Sequence, residues 1–156
     1  MSEQAGMKEN DGSNPNIFDL LKQDHEAVNN MLKQIVESEV FNPETYEQAK
    51  KALKAHFAGE EKLFYSRLEN NREIRSFVLE AYEAHDLGKQ IMIDIDMSEN
   101  FSADWLFVKV KMLSLALLMH FKEEENNVFK KAKNFLSVED EQALGKLFVQ
   151  EKNSSH

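Results

Sequence analysis

The sequence predicts an all-α protein, an up-down-up-down four-helix bundle with a short fifth helix at the C-terminus. Two observations support this fold class. Apolar residues recur at intervals of three and four in four long segments, which is the period of an amphipathic α-helix. The 156 residues include only five glycines and two prolines, which is too few for a chain of strands and tight turns. The length suits a single domain.

Capping signals indicate where the helices begin. In chain order they are Pro15-Asn16, Asn42-Pro43, Ser102 and Ser137. The four long helices are expected over residues 16–38, 43–69, 72–97 and 102–134. The short final helix carries Leu144, Leu147 and Phe148. Residues 1–14 are polar and without periodicity, so we expect a disordered tail followed by one domain over 15–150.

Each long helix has one histidine within its apolar stripe. The stripes include Leu21, His25, Val28 and Leu32; Leu53, His56, Glu60 and Phe64; Ala81, His85, Gly88 and Met92; and Leu117, His120, Glu124 and Val128. Each histidine also lies near the middle of its helix. Mid-helix positions of antiparallel neighbours meet at one height, so the four imidazoles are expected to converge in one internal layer.

Two carboxylates are expected in the same layer. Glu60 follows His56 by four residues and Glu124 follows His120 by four, which places each pair on one helix face. No lysine or arginine lies on these inner stripes, so a metal cation is the expected partner of the buried acids. The alternative is four ordinary core histidines. It would have to hold on four helices at once and explain both acids.

The ligand types restrict the metal. Imidazole and carboxylate without sulfur suit iron, with manganese or zinc as alternatives, and the absence of cysteine excludes thiolate sites and Fe–S clusters. Six protein ligands are too many for one four-coordinate structural zinc. They suit two ions that share the two glutamates. A bridging oxo or hydroxo group would leave one position on each ion open for a small ligand.

The pattern has a family likeness that rests on four segments: His25, His56-Phe-Ala-Gly-Glu60-Glu61, His85 and His120-Phe-Lys-Glu-Glu124-Glu125. This set resembles the hemerythrin-like, HHE cation-binding family over residues 16 to about 133. The resemblance implies a four-helix bundle with a non-haem di-iron centre, in which the histidines are terminal ligands and the two glutamates bridge. It also implies pairing of His25 with His120 and of His56 with His85.

The resemblance leaves the second bridging carboxylate open. Oxygen-carrying members place it five residues after the histidine, which here is Glu125. An undistorted helix favours Glu124, and a π-bulge could reverse that choice. Those members also have a further histidine where this chain has Lys89, so the more symmetric four-histidine site is expected.

Nearby polar residues are interpreted more simply. We expect Glu61, Glu123 and Glu125 to be solvated surface charges. Lys89 either faces solvent or approaches the site. Tyr82 is either a hydrogen-bond donor to a ligand or a glutamate, or an ordinary half-buried aromatic of the bundle.

The implied function is binding or sensing of O2, NO or peroxide, or handling of iron. The alternative is a redox enzyme at the same centre, for peroxide disproportionation or repair of nitrosative and oxidative damage. A helical interaction module without metal is a third possibility. The net charge of −9 argues against nucleic acid, and no apolar run reaches the ~20 residues of a membrane span. We therefore expect a cytoplasmic protein without membrane contact; the sequence identifies no protein partner.

Overall fold

The computed structural model describes residues 15–154, and over that range it contains five helices and no strand. Helix α1 spans Ile17–Ser38 and α3 spans Arg75–Asp96. Helix α2 comprises Pro43–Gly59, a π-helical turn Glu60–Tyr65 and Ser66–Leu68. Helix α4 comprises Ala103–Glu123, a π-helical turn Glu124–Val128 and Phe129–Ala132, and α5 spans Val138–Ser154. The predicted fold class is confirmed, whereas the tail predicted over 1–14 lies outside the described residues.

Helices α1, α2, α4 and α5 begin at the predicted caps. The side-chain oxygen of Asn16 accepts from the Phe18 amide at 2.8 Å, and that of Asn42 accepts from Thr45 at 3.1 Å. Ser137 forms a capping box, in which its hydroxyl accepts from the Asp140 amide at 3.0 Å. These bonds satisfy amides that the helical pattern leaves unpaired.

Two apolar clusters fill the bundle, one towards each end. One contains the start of α1, the end of α2, the start of α3 and the end of α4, including Leu21, Phe64, Val78 and Phe129. The other contains the opposite ends, including Leu32, Leu53, Met92 and Leu113. This alternation is that of an up-down-up-down bundle. On every helix the histidine lies at or next to the boundary between the two clusters, so a polar layer divides the core.

Helix α5 is longer than expected and packs across α1 and α2. It spans 17 residues, although its apolar positions are few. Two glycines permit the close approach. A Cβ added at Gly59 would overlap the Phe148 ring, and one at Gly145 would overlap the Pro15 carbonyl. In the described part of the chain, no helix is long and apolar enough to cross a membrane.

Candidate metal centre

The structure brings all six predicted side chains together in the layer between the apolar clusters. Their relative exposures are His25 2%, His56 0%, Glu60 0%, His85 0%, His120 6% and Glu124 1%. Potential ligand atoms fall into two overlapping sets, within each of which they lie no more than 4.8 Å apart. One set is His25, His56, Glu60 and Glu124, and the other is Glu60, His85 and His120.

The structure does not group the histidines in the pairs that the resemblance implies. The structure groups His25 with His56 and His85 with His120, with ring centroids 4.9 and 4.8 Å apart. Each of these groups belongs to one helical hairpin, α1–α2 or α3–α4. Glu60 belongs to both sets, which suits a shared ligand.

Several inward-facing atoms lie close together without forming an aligned hydrogen bond. Glu60 Oε1 lies 3.1 Å from Nε2 of both His56 and His85, and Glu124 Oε1 lies 3.0 Å from His25 Nε2. Among these six side chains, four buried atoms have no aligned hydrogen-bond partner in the described chain: His25 Nε2, His56 Nε2, Glu60 Oε2 and Glu124 Oε1. Buried polar atoms are rarely left unpaired in folded proteins. Their convergence fits a shared cation.

The two π-helical turns each begin at one of the inward glutamates. The turn from His120 to Glu124 is still α-helical, because the Glu124 amide bonds the His120 carbonyl. Glu124 therefore points into the layer, whereas Glu125 lies outside the layer and contacts His25 Nδ1. The wider turn follows the glutamate and does not reverse the choice, so Glu124 occupies the inner position.

Tyr65 is a residue of the centre that the sequence analysis missed. The wider i→i+5 turn places it on the same face as Glu60, five residues earlier. Its hydroxyl lies 3.2 Å from both Glu60 Oε1 and His85 Nε2, and it donates a hydrogen bond to Glu124 Oε2. Burial, together with the two carboxylates, raises the pKa of Tyr65 well above its usual value. The hydroxyl therefore keeps its proton.

Tyr82, the aromatic considered from the sequence, does not reach the centre. Its hydroxyl donates to Glu69 Oε1 at 2.7 Å, and its ring contacts that of Tyr65 with centroids 5.2 Å apart. Tyr82 therefore donates to a glutamate, as one alternative expected, but Glu69 is not one of the residues of the centre.

Carboxylates contact the Nδ1 atoms of three histidines, on the side of each ring that faces away from the centre. His25 Nδ1 lies 2.6 Å from Glu125 Oε2, His56 Nδ1 lies 2.9 Å from Asp24 Oδ2, and His85 Nδ1 lies 2.8 Å from Glu61 Oε2. These contacts turn each Nε2 inward. The prediction that Glu61 and Glu125 are solvated surface charges was therefore wrong, because both reach back to a buried ring.

Two of these carboxylates are paired with lysines. Lys89 Nζ lies 3.1 Å from Glu61 Oε2, so it approaches the site from outside and does not enter it. Lys152 of α5 donates to Asp24. Burial opposes ionisation of both carboxyls, but the histidine and lysine partners hold their pKa values below the usual range. Asp24 and Lys152 were not predicted, since neither lies on an inner stripe.

His120 differs from the other three histidines. No side chain in the range 15–154 hydrogen-bonds its Nδ1, and its Nε2 lies 3.1 Å from His85 Nε2. Burial lowers the pKa of His120 to about 4, which keeps the ring neutral and able to donate a lone pair. The ring also borders a cavity of about 380 Å³ between α3 and α4, whose wall includes Ala84, Leu87 and Met119.

The two inward glutamates have opposite proton affinities. Burial and then the charge of Glu124 raise the pKa of Glu60 to about 8. Burial opposes ionisation of Glu124 as well, but His25 and His120 beside it hold its pKa well below its usual value. Two adjacent buried carboxylates resist ionising together without a cation. The centre is therefore a cluster of nitrogen and oxygen donors that could hold metal.

These features define a class, a helical bundle with a buried histidine–glutamate cluster on four helices. The family follows directly. The model of the hemerythrin HHE cation-binding domain matches residues 16–132, which is most of the chain, and the chain belongs to that family. No curated protein and no solved structure gives a significant match. Family membership and the cluster together support cation binding at this site.

Proposed function

We propose that the chain is a di-iron protein that binds a small molecule such as O2, NO or peroxide. In this proposal His25 and His56 bind one ion, His85 and His120 bind the other, and Glu60 and Glu124 are shared. The observation that carries it is the group of buried, unpaired donor atoms that face one another across the layer. No lysine or arginine among the described residues pairs with either inward glutamate.

Iron is the metal that we propose, on the basis of the donors and the family. Neutral imidazoles and carboxylates without sulfur suit iron, and manganese or zinc would compete for the same atoms. When bound, iron supplies Lewis acidity and one-electron redox chemistry. The chain itself provides orientation through the carboxylates on His25, His56 and His85, and a protonated hydroxyl at Tyr65.

The α3–α4 cavity supports access from the second hairpin. Of the four histidines, only His120 lies in its wall, together with Glu124. The remaining wall is largely apolar and includes Ala81, Ala84 and Ala116. Small apolar side chains leave room for a neutral diatomic molecule or peroxide to reach the ligands of that half.

A cavity-filling variant tests the proposal. The protein is loaded with ferrous iron without oxygen and mixed with NO, and the visible spectrum is followed by stopped flow. Ala84→Trp should slow the spectral change by about tenfold or more, whereas Ala27→Trp, at an exposed alanine of α1, should not. A wild-type protein that takes up iron but shows no spectral response to NO, O2 or peroxide would refute the ligand-binding role.

A redox enzyme is the second candidate, and Tyr65 is the observation in its favour. Its hydroxyl holds a proton beside both shared glutamates, where peroxide chemistry would need a donor. Disproportionation converts two hydrogen peroxide molecules into two water molecules and O2. Oxygen evolution should be lost in Glu60→Ala and reduced in Tyr65→Phe. Equal rates in wild type and Glu60→Ala would exclude catalysis at this centre.

An interaction module without metal predicts a different thermal behaviour. A metal that binds only the folded state raises the melting temperature by mass action. Ferrous iron should therefore stabilise the wild-type chain and should have little effect on His56→Ala. If iron does not shift the melting temperature of either protein, the interaction module is the better description.

A further inference from the structure

Helix α4 carries a second apolar stripe on the side away from the metal centre. Its members and their exposures are Trp105 60%, Val108 42%, Met112 52%, Leu115 48% and Met119 75%. The spacing is 3, 4, 3, 4, as in the seam of a coiled coil. The core side of the same helix is formed by Val110, Leu113 and Leu117, which are buried. An exposed apolar stripe of this length marks an interaction surface.

We propose that this stripe, the α4 seam, packs against the α4 seam of a second copy of the chain in an antiparallel, two-fold arrangement. The stripe is nearly symmetric about its centre. Trp105 and Met119 each lie seven residues from Met112, and Val108 and Leu115 lie four and three residues from it. A two-fold axis at Met112 therefore places large apolar side chains opposite one another along the whole seam.

The charges beside the seam favour the antiparallel orientation. Asp104 and Lys122 are 18 residues apart, which is five helical turns, so they lie on one flank near opposite ends of the seam. Antiparallel pairing brings Asp104 beside Lys122 of the second copy on one side of the seam, whereas parallel pairing places these flanks on opposite sides of the seam and forms no such ion pair. Within residues 15–154 neither side chain forms an ion pair, although both are exposed.

One pair of charges opposes this arrangement. Lys111 lies on the same flank close to the two-fold axis, so it would approach Lys111 of the second copy. It is exposed at the margin of the seam, and its long side chain can direct the ammonium group into solvent. The apolar contacts extend for about four turns, or roughly 21 Å of helix. Burial of this apolar surface stabilises the dimer by more than the repulsion between two exposed ammonium groups destabilises it.

The inference does not depend on the bound metal. The α4 seam faces outward, whereas His120 and Glu124 face the interior from the same helix. Met119 belongs to the seam and also borders the α3–α4 cavity, so the second copy would lie at the rim of that cavity.

Sedimentation velocity of the full chain, metal-free and iron-loaded, tests the seam. We expect a dimer at low micromolar concentration in both forms. Met112→Lys, which places two ammonium groups at the axis, should give a monomer with unchanged helical circular dichroism. Leu79→Lys, at a 45% exposed leucine of α3 outside the seam, should leave the dimer intact. A wild-type monomer, or a dimer that survives Met112→Lys, would overturn the proposal.

Charge exchange tests the orientation. Asp104→Lys and Lys122→Asp should each weaken dimerisation by about tenfold, and the double variant should restore it. A double variant no tighter than either single one would overturn the antiparallel pairing. Neutral phospholipid vesicles provide the remaining test, because a wild-type monomer that binds them through the seam would mean that lipid, and not a second copy, covers this face.

Discussion

The two hairpins contribute equal numbers of histidines to the centre, but they hold them differently. In α1–α2 both rings have a carboxylate at Nδ1, and α5 covers this half and provides Lys152 to one of those carboxylates. In α3–α4 only His85 has such a support, and His120 borders a cavity. If the proposed function is correct, the first hairpin would hold its ion more tightly, and a small ligand would enter at the second hairpin.

The largest expected effect is on metal affinity. Asp24→Ala and Glu61→Ala each remove a carboxylate that orients a histidine, one in each hairpin. Each should weaken iron binding by about 10–100-fold, measured by competition with a chelator. The matched control is Glu26→Ala, an exposed acid next to His25, which should bind iron as the wild type does. Unchanged affinity in Asp24→Ala would mean that iron binding does not depend on the carboxylate that contacts His56.

The second effect concerns Tyr65 and the metal-free protein. Tyr65→Phe leaves Glu124 Oε2 without its buried donor, so the free energy of unfolding should fall by about 1–3 kcal/mol. Tyr82→Phe is the control, because that hydroxyl bonds Glu69 at the half-buried margin of the bundle and should matter less. Urea denaturation of both variants makes the comparison. If the free energy of unfolding falls equally in the two variants, the buried hydrogen bond from Tyr65 to Glu124 is not more stabilising than the one at the margin.

An alanine substitution at Gly59 tests how α5 packs on the first hairpin, and one at Gly88 is its control. Gly59→Ala should destabilise by about 1–3 kcal/mol, because the new methyl group overlaps the Phe148 ring. At Gly88 the nearest Phe57 ring atoms lie 3.5 Å from an added Cβ, which is ordinary contact. Gly88→Ala should therefore be neutral or stabilising by up to about 1 kcal/mol, as expected for alanine in a helix. Thermal melts that rank the two variants in reverse would contradict the docking of α5.

A further expected effect is a pH dependence of the metal-free protein. The pKa of Glu60 is raised from 4.5 to about 8, so between these values the folded chain holds a proton that the unfolded chain has lost. The free energy of unfolding should therefore fall as pH rises through this window, by at most about 1.4 kcal/mol per unit. Glu60→Gln cannot titrate and should lack this contribution. Identical pH profiles for the two proteins would assign the titration to another group.

The six inward side chains could be predicted because their placement depends only on the helical period and on antiparallel neighbours. His56 and Glu60, or His120 and Glu124, share a face in any regular α-helix. Tyr65 could not be found in this way. It faces the centre only because a π-helical turn adds a residue after Glu60, and apolar spacing does not reveal such a turn.

The carboxylates that contact histidine Nδ1 atoms are positioned by tertiary contacts, which the helical periodicity of a sequence does not predict. Asp24 contacts a ring on a different helix, and Lys152 reaches it from α5, whose weak apolar pattern predicted only a short helix. The grouping of the histidines likewise depends on where the rings lie in the folded bundle, which helical periodicity does not give.

Iron stoichiometry is the most direct test of the central claim that six side chains bind a pair of ions. The wild type and Glu60→Ala are loaded with ferrous iron without oxygen, desalted and analysed by elemental analysis together with the visible spectrum. We expect about two irons per wild-type chain, with near-ultraviolet absorption after exposure to air, and a loss of most of the iron from Glu60→Ala. A wild-type chain that retains no iron, or a Glu60→Ala variant that retains as much as the wild type, would contradict the account.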